Sequence, residues 1–155
     1  MHKQLTVINN YHEFDEGLAT AGQPTAEQFA LIREAGFEIV NNLAQNNSPG
    51  ALPDEAEVIN GEKMQYLHIP VDFREPQMDN LEDFFVAMNE HENKKRFVHC
   101  ACNWRVSAFM FLYRTKVLGL DRTQAKRDLY SVWTPDAVWS DFIRRAEKPD
   151  SGVSS

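Results

Sequence analysis

Short apolar runs alternate along the chain with longer stretches in which apolar residues recur at helical spacing. Leu5 to Ile8 and Gly17 to Gly22 read as short edge strands. After Gln23-Pro24, Thr25 is placed to cap a helix over Ala26 to Ala35, with Gly36 as its stop. Phe37 to Leu43 reads as a buried strand, and Asn46-Asn47-Ser48-Pro49-Gly50 after it is turn chemistry. Asp54 to Asn60 suits a short helix, and Tyr66 to Ile69 a strand ended by Pro70, which cannot donate to a ladder. Val71 to Asn80 is then a loop carrying Asp72, Arg74, Glu75 and Asp79.

Leu81, Phe84, Phe85 and Met88 share one face of a helix between Asn80 and Glu92, with Asp79 or Asn80 as its cap. Phe97-Val98-His99 is a further strand. Val106 to Leu118 is apolar on nearly every face, which predicts a buried helix stopped by Gly119. Asp121 or Thr123 opens another helix toward Tyr130. Thr134-Pro135-Asp136 supplies a cap, a first-turn proline and a dipole-matched carboxylate for a last one. This alternation predicts an α/β fold, a central, mostly parallel sheet flanked by helices, with ligands bound outside the carboxyl ends of the strands. Residues 1–147 read as a single domain and 148–155 as a disordered tail.

Composition narrows the classes. A chain of 155 residues with 43% hydrophobic content is long enough for a real core. A formal net charge of -7 argues against a surface that condenses nucleic acid or anionic lipid. The N-terminus lacks the apolar stretch of a signal peptide and no window is long and apolar enough to span a bilayer, so the expected compartment is the cytoplasm. Cys100 and Cys102, one residue apart, cannot staple distant parts of the fold, and their value is chemical or local.

The chemistry concentrates in Phe97-Val98-His99-Cys100-Ala101-Cys102-Asn103-Trp104-Arg105-Val106-Ser107, a strand, a tight loop and a buried helix in succession. Free N–H groups and the dipole at a helix N-terminus make such a loop an anion site, and the same field favours a thiolate over a thiol. One loop can thus hold a phosphate and attack it. His99 with the two cysteines also hints at a metal, but a closed site needs about four ligands and no second cluster supplies them; no metal or other cofactor is called for.

At these residues the chain resembles the cysteine-dependent protein-tyrosine and dual-specificity phosphatases, whose loop reads His-Cys, five intervening residues, Arg, then Ser or Thr. The resemblance extends to the small bacterial phosphatase-like domain also found attached to beta-lactamase-like hydrolases, through Ala21-Gly22-Gln23-Pro24-Thr25, the Val40 to Leu43 strand and His68-Ile69-Pro70-Val71. It implies a phosphotyrosine phosphatase II type fold and hydrolysis of phosphate monoesters, of protein phosphotyrosine or of small phosphorylated molecules, through a phosphocysteine. Carried over by position, it makes Cys100 the nucleophile and His99 its orienter. Ser107 becomes a hydroxyl donor to the leaving thiolate, Asp72 the candidate general acid with Asp79 and Asp83 as competitors, and Ala101 to Ser107 the phosphate-binding loop.

The pattern breaks at the arginine, whose planar fork grips two phosphate oxygens as few other side chains can. Val106 stands in its position and Arg105 comes one residue early. Either the loop is one residue shorter and Arg105 reaches the phosphate, or the loop keeps its length and the clamp is lost, at a cost on the order of a hundred- to a thousand-fold in rate. A phosphate- or sulfate-binding pseudophosphatase, or a rhodanese-like sulfur-handling domain, are the alternatives. Asn103 replaces a glycine of the family, as the residue that best tolerates a left-handed backbone. Cys102 fills the loop or pairs transiently with Cys100. Trp104 lines the pocket mouth or packs beneath the loop, and Trp133-Thr134-Pro135-Asp136 reads as a helix start.

Overall fold

The computed structural model describes residues 2–148. Five strands form one sheet in the order β1-β2-β5-β3-β4: His12–Asp15 (β1), Leu18–Ala21 (β2), Ile39–Asn42 (β3), Gln65–His68 (β4) and Arg96–His99 (β5). β2, β5, β3 and β4 run parallel, and β1 pairs antiparallel with β2 at one edge. Six helices cover the sheet: Ala26–Glu34 (α1), Glu55–Gly61 (α2), Met78–Glu90 (α3), Trp104–Leu112 (α4), Arg122–Val132 (α5) and Ala137–Glu147 (α6). The α/β architecture read from the alternation is the one the chain adopts.

Alternation along the strands assigns side chains to two cores, one on each face. In β5, Phe97 joins Phe29, Ile32 and Phe37 under α1 and α2, while the next residue, Val98, joins Phe84, Phe109 and Trp139 under the other helices. α4 lies deepest, with every residue from Arg105 to Leu112 buried. A helix apolar all round has nowhere else to go.

Several local expectations hold in detail. Thr25 caps α1 in a reciprocal capping box with Gln28, and Gly36 ends the helix at φ +96°. Asp121 caps α5 through Gln124 N–H, and Gly119 follows the α4 segment at φ +69°.

Others are corrected. Leu5 to Ile8 is not a strand: Lys3–Val7 forms a 3-10 helix, because Leu5 and Ile8, three residues apart, both enter the core beneath α1. Gly17 to Gly22 is not an edge: its strand, β2, is buried between β5 and β1, and the edge is the short, mostly polar His12-Glu13-Phe14-Asp15. α3 starts at Met78, capped by Gln77 with the Asn80 side chain returning a bond to Gln77 N–H. The cap of α6 is Asp136, which accepts from Trp139 N–H at 2.9 Å; Pro135 precedes it rather than opening the first turn. The α-helical part of α4 ends at Leu112 and continues as one π-helical turn, Tyr113–Val117. Lys148 caps the end of α6, and the rest of the expected tail lies outside the described residues.

The carboxyl ends of the four parallel strands point the same way, so the segments after Ala21, Asn42, His68 and His99 converge over one edge of the sheet. That is where a doubly covered parallel sheet presents a site.

Candidate active site

Cys100 follows β5 directly, and Asn103, at φ +68°, reverses the chain into α4. Left-handed backbone costs a non-glycine residue about 1–2 kcal/mol. The Asn103 side chain offsets it: fully buried, its amide donates to Asn10 C=O at 2.9 Å and Thr20 Oγ1 at 3.0 Å. α4 then begins at Trp104, directly after this turn. Val106 points into the core, and Arg105 falls into the cleft above Cys100.

Three successive loop carbonyls are tied down. Cys100 C=O faces His99 Nδ1 at 3.2 Å, Ala101 C=O accepts from Gln23 N–H at 3.0 Å, and Cys102 C=O accepts from the Asn10 amide at 2.9 Å. In a trans peptide the N–H points opposite to the carbonyl, so anchoring the Cys100 and Ala101 oxygens turns Ala101 and Cys102 N–H the other way. The first i to i−4 bond of the helix is Ser107 N–H to Asn103 C=O, which leaves Trp104, Arg105 and Val106 N–H without intrahelical partners. Together these groups gather N–H donors at the positive end of α4, a nest of the kind that can hold an anion.

The cleft over the loop has a volume of about 610 Å³. Cys100 lies on its floor with no accessible area of its own; Arg105, Asp72, Phe73, Arg74 and Trp104 wall it. Arg105 is 5% exposed, and it donates through Nη1 to Val71 C=O at 2.9 Å and through Nη2 to Ser48 Oγ at 3.3 Å. A guanidinium has five N–H donors, so three are left for a ligand. Its Cζ lies over the Phe73 ring, 5.9 Å from the centroid. Position and orientation are both fixed.

Of the three acid candidates, Asp72 alone lines the cleft; Asp79 and Asp83 sit on exposed positions of α3. Asp72 Oδ1 accepts from Arg74 N–H at 2.9 Å, and Trp139 Nε1 donates to Phe73 C=O at 2.8 Å, which ties this loop to α6. Trp104 is both a wall and a packed residue: exposed at the cleft, it stacks on Trp133 at 5.0 Å and 4°. Ser107 does not face the cleft. Its hydroxyl donates to Trp104 C=O at 2.9 Å and borders a small crevice with Phe14 and Thr20 on the far side of the helix. Burial pushes the Cys102 thiol above its ordinary range, with Cys100 adding and Arg105 opposing.

Sequence reading missed two members of the site. Glu55, at the start of α2, is 4% exposed and places Oε2 2.6 Å from His99 Nε2. Gln23 donates from Nε2 to Glu55 Oε1 at 2.8 Å. Glu55 and His99 are 44 residues apart, and an acidic residue after Pro53-Asp54 looks like solvated helix start; no local signal marks the pair.

The family described as DSP-PTPase phosphatase fused to NAD+ kinase matches residues 7–144. No curated protein matches the chain. Among solved structures, the DUF442 phosphatase candidate of Shewanella putrefaciens CN-32 is 30% identical, with 94% of this chain and 96% of that one covered at a TM-score of 0.83. TpbA of P. aeruginosa, solved in complex with pTyr, shares the fold at 15% identity and a TM-score of 0.71, covering 93% of this chain and 86% of that one. The core catalytic domain of a PP-IP phosphatase of S. cerevisiae, solved with citrate, shares it at 13% identity and a TM-score of 0.75, with 95% and 90% covered. Matched over residues 7–144, the chain belongs to this DSP-PTPase family of cysteine-dependent phosphatase domains.

Proposed function

We propose that this domain hydrolyses phosphate monoesters in two steps through Cys100. The thiolate attacks phosphorus, the S–P bond forms as the P–O bond breaks, and Asp72 gives its proton to the departing oxygen. Water then attacks the phosphocysteine with Asp72 taking up the water's proton, the S–P bond breaks, and inorganic phosphate leaves. Arg105 and the N–H groups of the nest hold the phosphoryl oxygens where charge accumulates. The observation that carries this reading is that Cys100, Arg105 and Asp72 wall one cleft despite the displaced arginine. Family membership favours phosphatase chemistry over sulfur transfer or mere anion binding.

The aromatic faces of Phe73 and Trp104 at the cleft mouth suit an aryl phosphate such as phosphotyrosine. Both cysteines are free thiols, in keeping with a reducing cytoplasmic setting, and no helix among the described residues is long and apolar enough to cross a membrane.

The test is hydrolysis of para-nitrophenyl phosphate across mildly acidic pH. Cys100→Ser abolishes it, Arg105→Ala lowers kcat/KM by roughly a hundred- to a thousand-fold, and Asp72→Asn lowers kcat by roughly a hundredfold or more. Hydrolysis that survives Cys100→Ser overturns the reading.

A further inference from the structure

The buried carboxylate of Glu55 has no part in the steps above, yet it joins two of the groups that shape the loop. Its Oε2 faces His99 Nε2 at 2.6 Å, and the other ring nitrogen faces Cys100 C=O at 3.2 Å. Its Oε1 accepts from the Gln23 side chain at 2.8 Å, and Gln23 N–H holds Ala101 C=O at 3.0 Å. The Gln23 amide also reaches Pro24 C=O at 3.0 Å, which pins the side chain across its own turn. His99 is 0% and Glu55 4% exposed, and Gln23 is half-buried.

The protons can be placed from the contacts. Nδ1 faces a carbonyl and must carry a proton; a second proton must lie between Nε2 and the carboxylate. With those two protons the His99–Glu55 pair is neutral as a unit, which lets it sit buried without uncompensated charge. It also fixes the ring. Nδ1 is then a donor aimed at Cys100 C=O, and the peptide after the cysteine cannot turn over to present its oxygen to the cleft.

We propose that Glu55 is a positioning residue for the phosphate nest, holding the Cys100 and Ala101 carbonyls turned away through His99 and Gln23, so that the following N–H groups face the anion. The inference rests on the phosphatase reading only in taking that anion to be phosphate. Glu55→Gln retains every contact, with its carbonyl accepting from Gln23 and its amide donating to Nε2 of a neutral His99. Glu55→Asp keeps the charge but shortens the reach by one methylene. Glu55→Ala leaves Nε2 of His99 unpaired and takes from the Gln23 amide one of its two acceptors, with Pro24 C=O remaining. His99→Asn retains a donor in the place of Nδ1 and severs the link to Glu55.

The experiment measures inorganic phosphate binding by calorimetry, alongside para-nitrophenyl phosphate hydrolysis and thermal melting. The proposal expects Glu55→Ala and Glu55→Asp to weaken phosphate binding about tenfold or more, the scale of leaving buried donors unpaired. Glu55→Gln stays within about threefold, and Glu55→Ala costs less in the His99→Asn background than in the wild type, because the His99 branch is already cut there and only the Gln23 branch remains to be lost. Phosphate affinity within about twofold of wild type in a folded Glu55→Ala or Glu55→Asp protein, with only the melting temperature lowered, makes Glu55 a packing residue and overturns the proposal. Glu55→Asp decides if Glu55→Ala does not fold. A wild type that binds phosphate with this variant pattern but hydrolyses nothing overturns the hydrolase reading and leaves the role of Glu55 standing.

Discussion

Gly22 lies where β2 ends and the chain crosses beneath the Cys100 loop. A Cβ built there would stand 2.7 Å from the Ala101 carbonyl oxygen and 2.6 Å from Asn9 Nδ2. The Asn9 amide can rotate aside, but the Ala101 oxygen is backbone and already accepts from Gln23 N–H. Gly22→Ala must therefore push two chain segments apart by several tenths of an ångström. Overpacking of this kind costs about 1–3 kcal/mol, and for a chain of this size each kcal/mol lowers Tm by about 2–4 °C. A displaced Ala101 carbonyl also swings Cys102 N–H out of the nest, so phosphate affinity falls with stability. Gly61→Ala is the control: nothing lies within 4 Å of a Cβ there, and it changes stability by less than about 1 kcal/mol. Urea and thermal unfolding followed by circular dichroism measure both. A Gly22→Ala protein that melts within about 1 °C of wild type and binds phosphate as tightly would refute the close approach and the coupling drawn from it.

Further expectations concern single groups. Arg105→Lys keeps a charge but gives up the fork that spans Val71 C=O, Ser48 Oγ and the ligand; kcat/KM for an aryl phosphate drops roughly a hundredfold, and a loss under about fivefold contradicts the clamp. The Cys102 thiol, raised by burial, holds less thiolate near neutral pH than an unstructured cysteine; peptide mapping after brief alkylation should find it labelled more slowly than in the urea-unfolded chain, and faster labelling counts against its burial. Burial also lowers His12 below 6.5, with Asp128 opposing and Arg114 assisting. The unfolded chain then binds that proton more readily than the folded one, so stability falls as pH drops through about 6.5 and levels off below the folded value. His12→Gln should flatten that part of the Tm profile, and an unchanged slope argues against the assignment.

What was legible in the sequence was whatever is encoded locally. Thr25 with Gln28, Gly36 and Asp121 announce helix ends through side-chain chemistry within a few residues. His99-Cys100 ahead of an all-apolar helix announces a strand, an anion loop and a buried helix. Leu5 and Ile8 misled because an i, i+3 apolar pair fits a single turn as well as an edge strand, and only the core beneath α1 decides. Spacing alone could not place the arginine, since either loop length was sterically open; only the fold shows Arg105 lining the cleft while Val106 is buried. Glu55 was invisible because its meaning comes from His99 and Gln23, which the topology brings together from three separate connections.

The central claim is a covalent phosphocysteine at Cys100. It is tested most directly by acid-quenching the protein within its first turnover of para-nitrophenyl phosphate and mapping the peptides by mass spectrometry. The account predicts a phosphate mass on the peptide that holds Cys100, accumulating further in Asp72→Asn, where hydrolysis of the intermediate slows, and absent in Cys100→Ser. Turnover with no phosphate on that peptide, or with phosphate on another residue, would contradict it.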